Sequence, residues 1–154
     1  MNKYGIIAIH GGNIEKGTSD ITQNIAKNDI EYFINSSDKH ITSTEFESPL
    51  LNKLLSECEI IISIHGQHDK ENSFVMVGGL EDLLISNIKN SLNKNNFNII
   101  ESENGLSGVS SENVCNKGVS KKGVQLELSH KLRIDLLNDK NLMNLFVDSI
   151  RNCL

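Results

Sequence analysis

No apolar run in this chain approaches the roughly eighteen residues that a membrane-crossing helix needs. The opening segment, MNKYGIIAIHGG, holds one lysine and a short apolar run with no small-residue cleavage site after it, so it does not read as a signal peptide. The expected setting is the cytoplasm, or the medium after cell lysis, without a membrane. Cysteine is scarce and odd in number. Cys58, Cys115 and Cys153 are widely scattered and include no C-x-x-C pair, which excludes a disulfide framework and a structural zinc ribbon. Positive charge is in deficit, with 15 Lys and Arg against 20 Asp and Glu and a net charge of −5. A surface that binds phosphate backbones needs a cationic excess, so nucleic acid is not an expected partner. Proline occurs once, no low-complexity linker interrupts the chain, and no repeat of solenoid length is present. Residues 1–154 therefore read as one domain, large enough for a proper core.

What is present is a globular composition, 38 % hydrophobic and 23 % charged. Charge is uneven along it. Between 117 and 133 the cations Lys117, Lys121, Lys122, Lys131 and Arg133 face a single acid, Glu127. Such a stretch in an acidic protein can attract an anionic substrate, although each lysine also reads as part of a solvated loop.

Residues 3–9 (KYGIIAI) and 58–64 (CEIIISI) are continuous apolar runs rich in isoleucine, the pattern of strands buried on both faces of a parallel sheet. Between them a helix is expected from Asp20, with Gln23 completing a capping box, burying Ile21, Ile25 and Phe33. A strand is expected over 40–46 (HITSTEF). A second helix starts at Ser48 with Pro49 at its first position and Leu50, Leu51, Leu54 and Leu55 on one face. Further on, 74–78 (FVMVG) and 97–100 (FNII) read as strands, and Leu80, Leu84, Ile88 and Leu92 mark a helix. A polar loop then runs to residue 122. Val124, Leu126 and Leu128 alternate with Gln125, Glu127 and Ser129 in a strand, and Leu142, Leu145, Phe146 and Ile150 mark a terminal helix. Interleaved strands and helices predict a three-layer α/β/α fold with a mixed sheet.

One phrase recurs. "IIAIHG" at 6–11 and "IISIHG" at 61–66 each end an apolar strand in histidine and glycine. In open α/β sheets, ligands bind beyond the carboxyl ends of strands, which is where His10 and His65 are expected. If the two strands are neighbours, both imidazoles enter one crevice. Glu15 follows on a loop with glycines at 11, 12 and 17 and can fold back. Two histidines and a carboxylate, with a fourth position for water, form the ligand set of a catalytic zinc site. A lone strand-end histidine more often serves a loop, and the repetition is what favours the metal. His40, His68 and His130 lack this setting.

Glu127 is the second oddity, a carboxylate in mid-strand between Leu126 and Leu128. Two readings stand: a solvated glutamate on the sheet's outer face, or a partly buried general base beside metal-activated water. Other chemistries fit less well. GLSGVS lacks the second glycine of a nucleophile elbow. Cys115 has no sequence-local partner. HGGN carries neither the Walker lysine nor G-x-G-x-x-G.

The phrases HGGNIEKGTSD, HITSTEF, IISIHG, NVCNKG and GVQLELS, followed by the LR of KLR, occur in an order that spans nearly the whole chain. In this the sequence resembles the phage-type poly-γ-glutamate hydrolases, a family also labelled phage-related replication protein. The resemblance implies a zinc carboxypeptidase-like core and hydrolysis of γ-amide links in an anionic polyglutamate substrate. It implies zinc on His10, Glu15 and His65, and Glu127 as the catalytic carboxylate. It places substrate binding on Asn116, Lys117 and Arg133, with Lys117 replacing the family's arginine and so losing its bidentate fork. Two other readings remain: hydrolysis of a different amide, such as a peptide or N-acyl amino acid, and a non-catalytic, replication-associated binding module.

Overall fold

The computed structural model describes residues 1–102 and 105–154. Strands β1 (Asn2–Ala8), β2 (Glu31–Ile34), β3 (Cys58–Gln67), β4 (Val75–Gly79) and β5 (Val124–Ser129) form one sheet in the order β2-β1-β3-β5-β4. Every adjacent pair is parallel except β4 with β5. Helices α1 (Thr18–Ala26), α2 (Pro49–Glu57), α3 (Asp82–Lys94), α4 (His130–Asn138) and α5 (Lys140–Arg151) complete the α/β architecture. Among the described residues no helix is long and apolar enough to cross a membrane.

The two isoleucine-rich runs become β1 and β3, neighbours at the centre of the sheet. Their alternation divides the core between two faces. Ile6, Ile62 and Ile64 join Val124, Leu126 and Leu128 against α1, α3, α4 and α5. Ile7, Ile9 and Ile61 face the other way, onto Leu51, Leu54 and Leu55 of α2 with Phe46 and Val114. Burying each such aliphatic side chain contributes about 1.5–3 kcal/mol. The second cluster contains no residue of β5. On that side β3 and β5 pair polar residues instead, Ser63 with Gln125 and His65 with Glu127. A gap in the apolar cover thus coincides with a buried polar patch.

Several sequence expectations are corrected. Residues 40–46 are not a strand: Glu45 and Phe46 donate their N–H groups to the Thr42 carbonyl, closing a turn. Alternate residues there are His40, Thr42, Thr44 and Phe46 on one side and Ile41, Ser43 and Glu45 on the other, so neither offers a continuous apolar face. The strand in this interval is β2, and it carries Phe33, which α1 does not bury. Helix α1 begins at Thr18 after Gly17, whose φ of +95° no L side chain adopts readily, and no capping box forms. Residues 97–100 contribute only an isolated bridge, Ile99 to Val75. Helix α4 was not anticipated. It follows β5 directly, with Ser129 accepting the Leu132 N–H as N-cap, and its amphipathic pattern is weak.

On α2, Leu51 is fully buried whereas Leu50 is 72 % exposed. Leu51→Ala is therefore expected to cost roughly 2–5 kcal/mol in chemical denaturation, and Leu50→Ala less than about 0.5 kcal/mol. Equal losses would contradict this orientation of the helix.

Candidate metal centre

Beyond β1 the chain turns back on itself. The Glu15 N–H donates to the His10 carbonyl at 3.0 Å, and the Thr18 hydroxyl donates to the Glu15 carbonyl at 2.9 Å. Gly12, with φ of +62°, supplies the left-handed turn this requires. The Glu15 carboxylate is thereby returned over His10. Its Oε1 lies 2.9 Å from His10 Nδ1, and its Oε2 accepts the Gly66 N–H at 2.6 Å. His65 lies within β3, not beyond its end, and points its Nδ1 to 3.3 Å from His10 Nδ1 and 3.8 Å from Glu15 Oε2. Donor atoms of the three side chains all fall within 4.8 Å of one another.

The donor set fits a divalent cation. His10 Nε2 lies 2.7 Å from the Ile41 carbonyl, which can only accept, so Nε2 carries the proton. Neutral His10 then turns the bare lone pair of Nδ1 towards a carboxylate oxygen. That approach is favourable when a proton is held between Nδ1 and Oε1, or when a metal ion lies between them. His65 also turns Nδ1 to the cluster, while its Nε2 lies 2.8 Å from the Ser63 hydroxyl, a group that can accept from or donate to it. Complete burial holds its pKa down at about 4, against the pull of Glu15, so it stays neutral at pH 7. Burial also opposes charge on His10, but the hydrogen bond to Glu15 outweighs it with help from the Ile41 carbonyl, and the net shift is upward. Glu15 is destabilised by burial yet drawn below its usual range by His10 and His65. Two imidazole nitrogens and a carboxylate, each histidine fixed through its other nitrogen, are a zinc donor set with its supporting hydrogen bonds. With bonds of about 2.0–2.1 Å, tetrahedral ligands stand about 3.3 Å apart, within the spread seen here.

Beside this cluster is a cavity of about 300 Å³ walled by Thr42, Ser43, Thr44, Asn113, Gln125 and Glu127. Glu127 is 5 % exposed, so it is not a solvated glutamate of an outer face. Burial and the neighbouring Glu15 charge push its pKa up to about 8, opposed by His10 and Arg133. His10, Glu15, His65 and Glu127, anticipated from the sequence, are thus brought to one place.

The other three anticipated residues are placed elsewhere. Arg133 is 3 % exposed and donates to the carbonyls of Leu128, Lys16 and Gln67 at 3.2, 2.5 and 2.9 Å, behind the cavity wall. It passes where a Gly66 side chain would stand, since a Cβ there would lie 2.5 Å from the guanidinium carbon. Asn116 donates to the Gly108 and Ser110 carbonyls and accepts the Gly123 N–H. With Lys117 it borders a separate groove of about 850 Å³, where Lys117 lies 4.0 Å from Glu112.

The sequence reading missed His40, whose ring stacks on His10 with centroids 4.1 Å apart, and the polar pair Asn113 and Gln125. Gln125 was recoverable, because it precedes Glu127 by two residues on the same face of β5. The stacking of His40 was not, because it depends on a loop path.

Two outcomes follow from this geometry. His10→Ala, Glu15→Gln and His65→Ala are each expected to abolish stoichiometric zinc in elemental analysis of the purified protein, and full retention in any one would remove that residue from the set. In metal-free protein, Glu127 keeps its proton when folded up to about pH 8 but releases it above about 4.5 when unfolded. Its contribution to stability therefore declines as pH rises through that window. The denaturation midpoint of Glu127→Gln is expected to fall less than that of the unaltered protein over this range, and parallel curves would contradict the burial of this carboxyl.

Comparison with known proteins identifies the family and the fold. A family model described as poly-gamma-glutamate hydrolase matches residues 1–149. The SPbeta prophage-derived UPF0714 protein YoqZ of Bacillus subtilis (strain 168) is 32 % identical over 141 residues, which are 86 % of this chain and 51 % of YoqZ. UPF0714 protein YmaC of the same organism is 32 % identical over 146 residues, 90 % of this chain and 62 % of YmaC. The chain thus spans only about half to three-fifths of these curated relatives. A solved bacteriophage poly-gamma-glutamate hydrolase superposes with a TM-score of 0.92 at 24 % identity, covering 99 % of this chain and 83 % of the other. A zinc-free apo structure of YndL gives 0.89 at 25 % identity, covering 99 % and 84 %. The chain belongs to the poly-gamma-glutamate hydrolase family.

Proposed function

We propose that this protein is a zinc-dependent hydrolase that cleaves the γ-glutamyl amide bonds of poly-γ-glutamate. The observation that carries the reading is the meeting of the His10, Glu15 and His65 donor atoms with a buried Glu127 at one cavity, in a chain of this family. Zinc held there would supply a Lewis acid that polarises a carbonyl and makes water acidic near neutral pH. Hydrolysis adds the water oxygen to the amide carbon, breaks the C–N bond and must move a proton to the departing nitrogen. Glu127 is the group of this chain able to take the proton from water and return it to the amine. Its raised proton affinity suits a base working near neutrality. The hydroxyls of Thr42, Ser43 and Thr44 supply neutral donors to the substrate's oxygens.

Polyglutamate presents a carboxylate at every unit, and Lys117 and Lys121 on the larger groove are the cations offered to units beyond the scissile bond. Asn116 holds the loop that carries Lys117. Arg133 acts from behind the wall, as a fixed positive charge near Glu15 and Glu127 and not as a grip on substrate. One observation favours a different amide as substrate. Among the described residues, no lysine or arginine lines the cavity itself.

Digesting γ-linked and α-linked polyglutamate side by side separates the two readings, with shortening expected only for the γ-linked polymer. Preference for the α-linked chain would overturn the proposed substrate. Glu127→Gln is expected to keep its zinc and lose roughly 10²–10⁴-fold in rate, and an unchanged rate would remove Glu127 from its role. Absence of turnover on any amide would leave a binding module.

A further inference from the structure

We propose that Gln125 is the positioning residue of the Glu127 carboxylate, with Asn113 fixing the direction in which its amide faces. This rests on the role of Glu127 given above. Four groups form a chain whose polarity is forced at both ends. The Cys115 N–H can only donate, and it donates to Asn113 Oδ1 at 3.1 Å. Asn113 must then turn its NH₂ to its next neighbour, and Nδ2 donates to Gln125 Oε1 at 2.9 Å. Gln125 in turn has only its NH₂ left for the far side. Nε2 donates to Glu127 Oε1 at 3.2 Å and to the Leu106 carbonyl at 3.2 Å. The Leu106 carbonyl can only accept, so the chain ends there with every amide orientation determined.

The packing supports the same assignment. Gln125 is 3 % exposed and Asn113 7 % exposed, so neither amide is held in place by bulk water. Gly108 lies against the Gln125 side chain so closely that a Cβ there would sit 2.9 Å from Gln125 Cβ. Among the described residues no other side chain donates to Glu127. One carboxylate oxygen is therefore tied to Gln125, which leaves Oε2 as the oxygen available to the cavity. A base held in one rotamer with one oxygen committed is pre-aligned for proton transfer, and misplacement by about 1 Å can cost on the order of 10²-fold in rate.

Gln125→Met removes the donor at similar volume, and Gln125→Glu keeps an acceptor for Asn113 while removing the donor to Glu127. Both are compared with the unaltered zinc-loaded protein. The expected result is a kcat lower by roughly 10–100-fold with KM within about twofold and zinc content unchanged. A second readout does not involve turnover. In ¹³C-glutamate-labelled protein, the carboxyl resonance that disappears in Glu127→Gln is expected to move in Gln125→Met, while the other glutamate signals stay. A kcat within about twofold of the unaltered protein, a resonance that does not move, or a rate loss matched by zinc loss would overturn the proposal. Full activity in Glu127→Gln would instead sink the functional reading itself, and so the two failures are distinguishable.

Discussion

The site depends on the close approach of three donor groups from separate parts of the chain. Two buried imidazoles, each tied by its far nitrogen to Ile41 or Ser63, turn their near nitrogens towards each other and towards the Glu15 carboxylate. Three lone-pair donors at such spacing repel unless positive charge lies among them. A proton between His10 and Glu15 relieves the repulsion of that pair, and His65 Nδ1 offers the third donor once its own proton sits on Nε2 towards Ser63. A divalent cation satisfies all three together. Much of the local backbone serves this convergence. The 10–18 loop returns Glu15, Gly66 gives it a backbone N–H, and Arg133 braces the Lys16 and Gln67 carbonyls on either side.

The proposed hydrolysis also requires a base near the metal that does not compete for it. The sheet supplies this through register. His65 and Glu127 are partners on adjacent parallel strands, so the imidazole and the carboxylate share a face without sharing a strand. Because no β5 residue joins the α2-side core, the patch around Glu127 stays free of aliphatic cover and opens to the cavity. Burial raises the proton affinity of the carboxylate, and the neutral donor on Gln125 orients it without adding a formal charge.

How far the sequence alone carried the account follows from these distances in chain. The repeated Ile-x-Ile-His-Gly phrase carried β1, β3 and both histidines, because a strand buried on both faces writes its own pattern. Glu15 was legible through the glycines that let its loop return. Glu127 was legible because a charge between two leucines in a strand demands a reason. What failed was information stored in contacts between distant segments. HITSTEF was expected to be a strand, yet its Thr42, Ser43 and Thr44 wall the cavity and its first two residues hold His10, by the Ile41 carbonyl and the His40 ring. Arg133 looked available for substrate, and only the fold shows its guanidinium spent on three carbonyls. Helix α4 escaped notice because nearly every turn of it mixes charged and apolar residues.

On the proposed function, one cation held between His10, Glu15 and His65 makes the cavity a hydrolytic site. The most direct measurement is the chain length of poly-γ-glutamate after incubation with purified protein, stripped by chelator and then restored with one equivalent of zinc. The account predicts intact polymer with the stripped protein and shortening that returns at one zinc per chain. Shortening that persists unchanged in the stripped protein would contradict it.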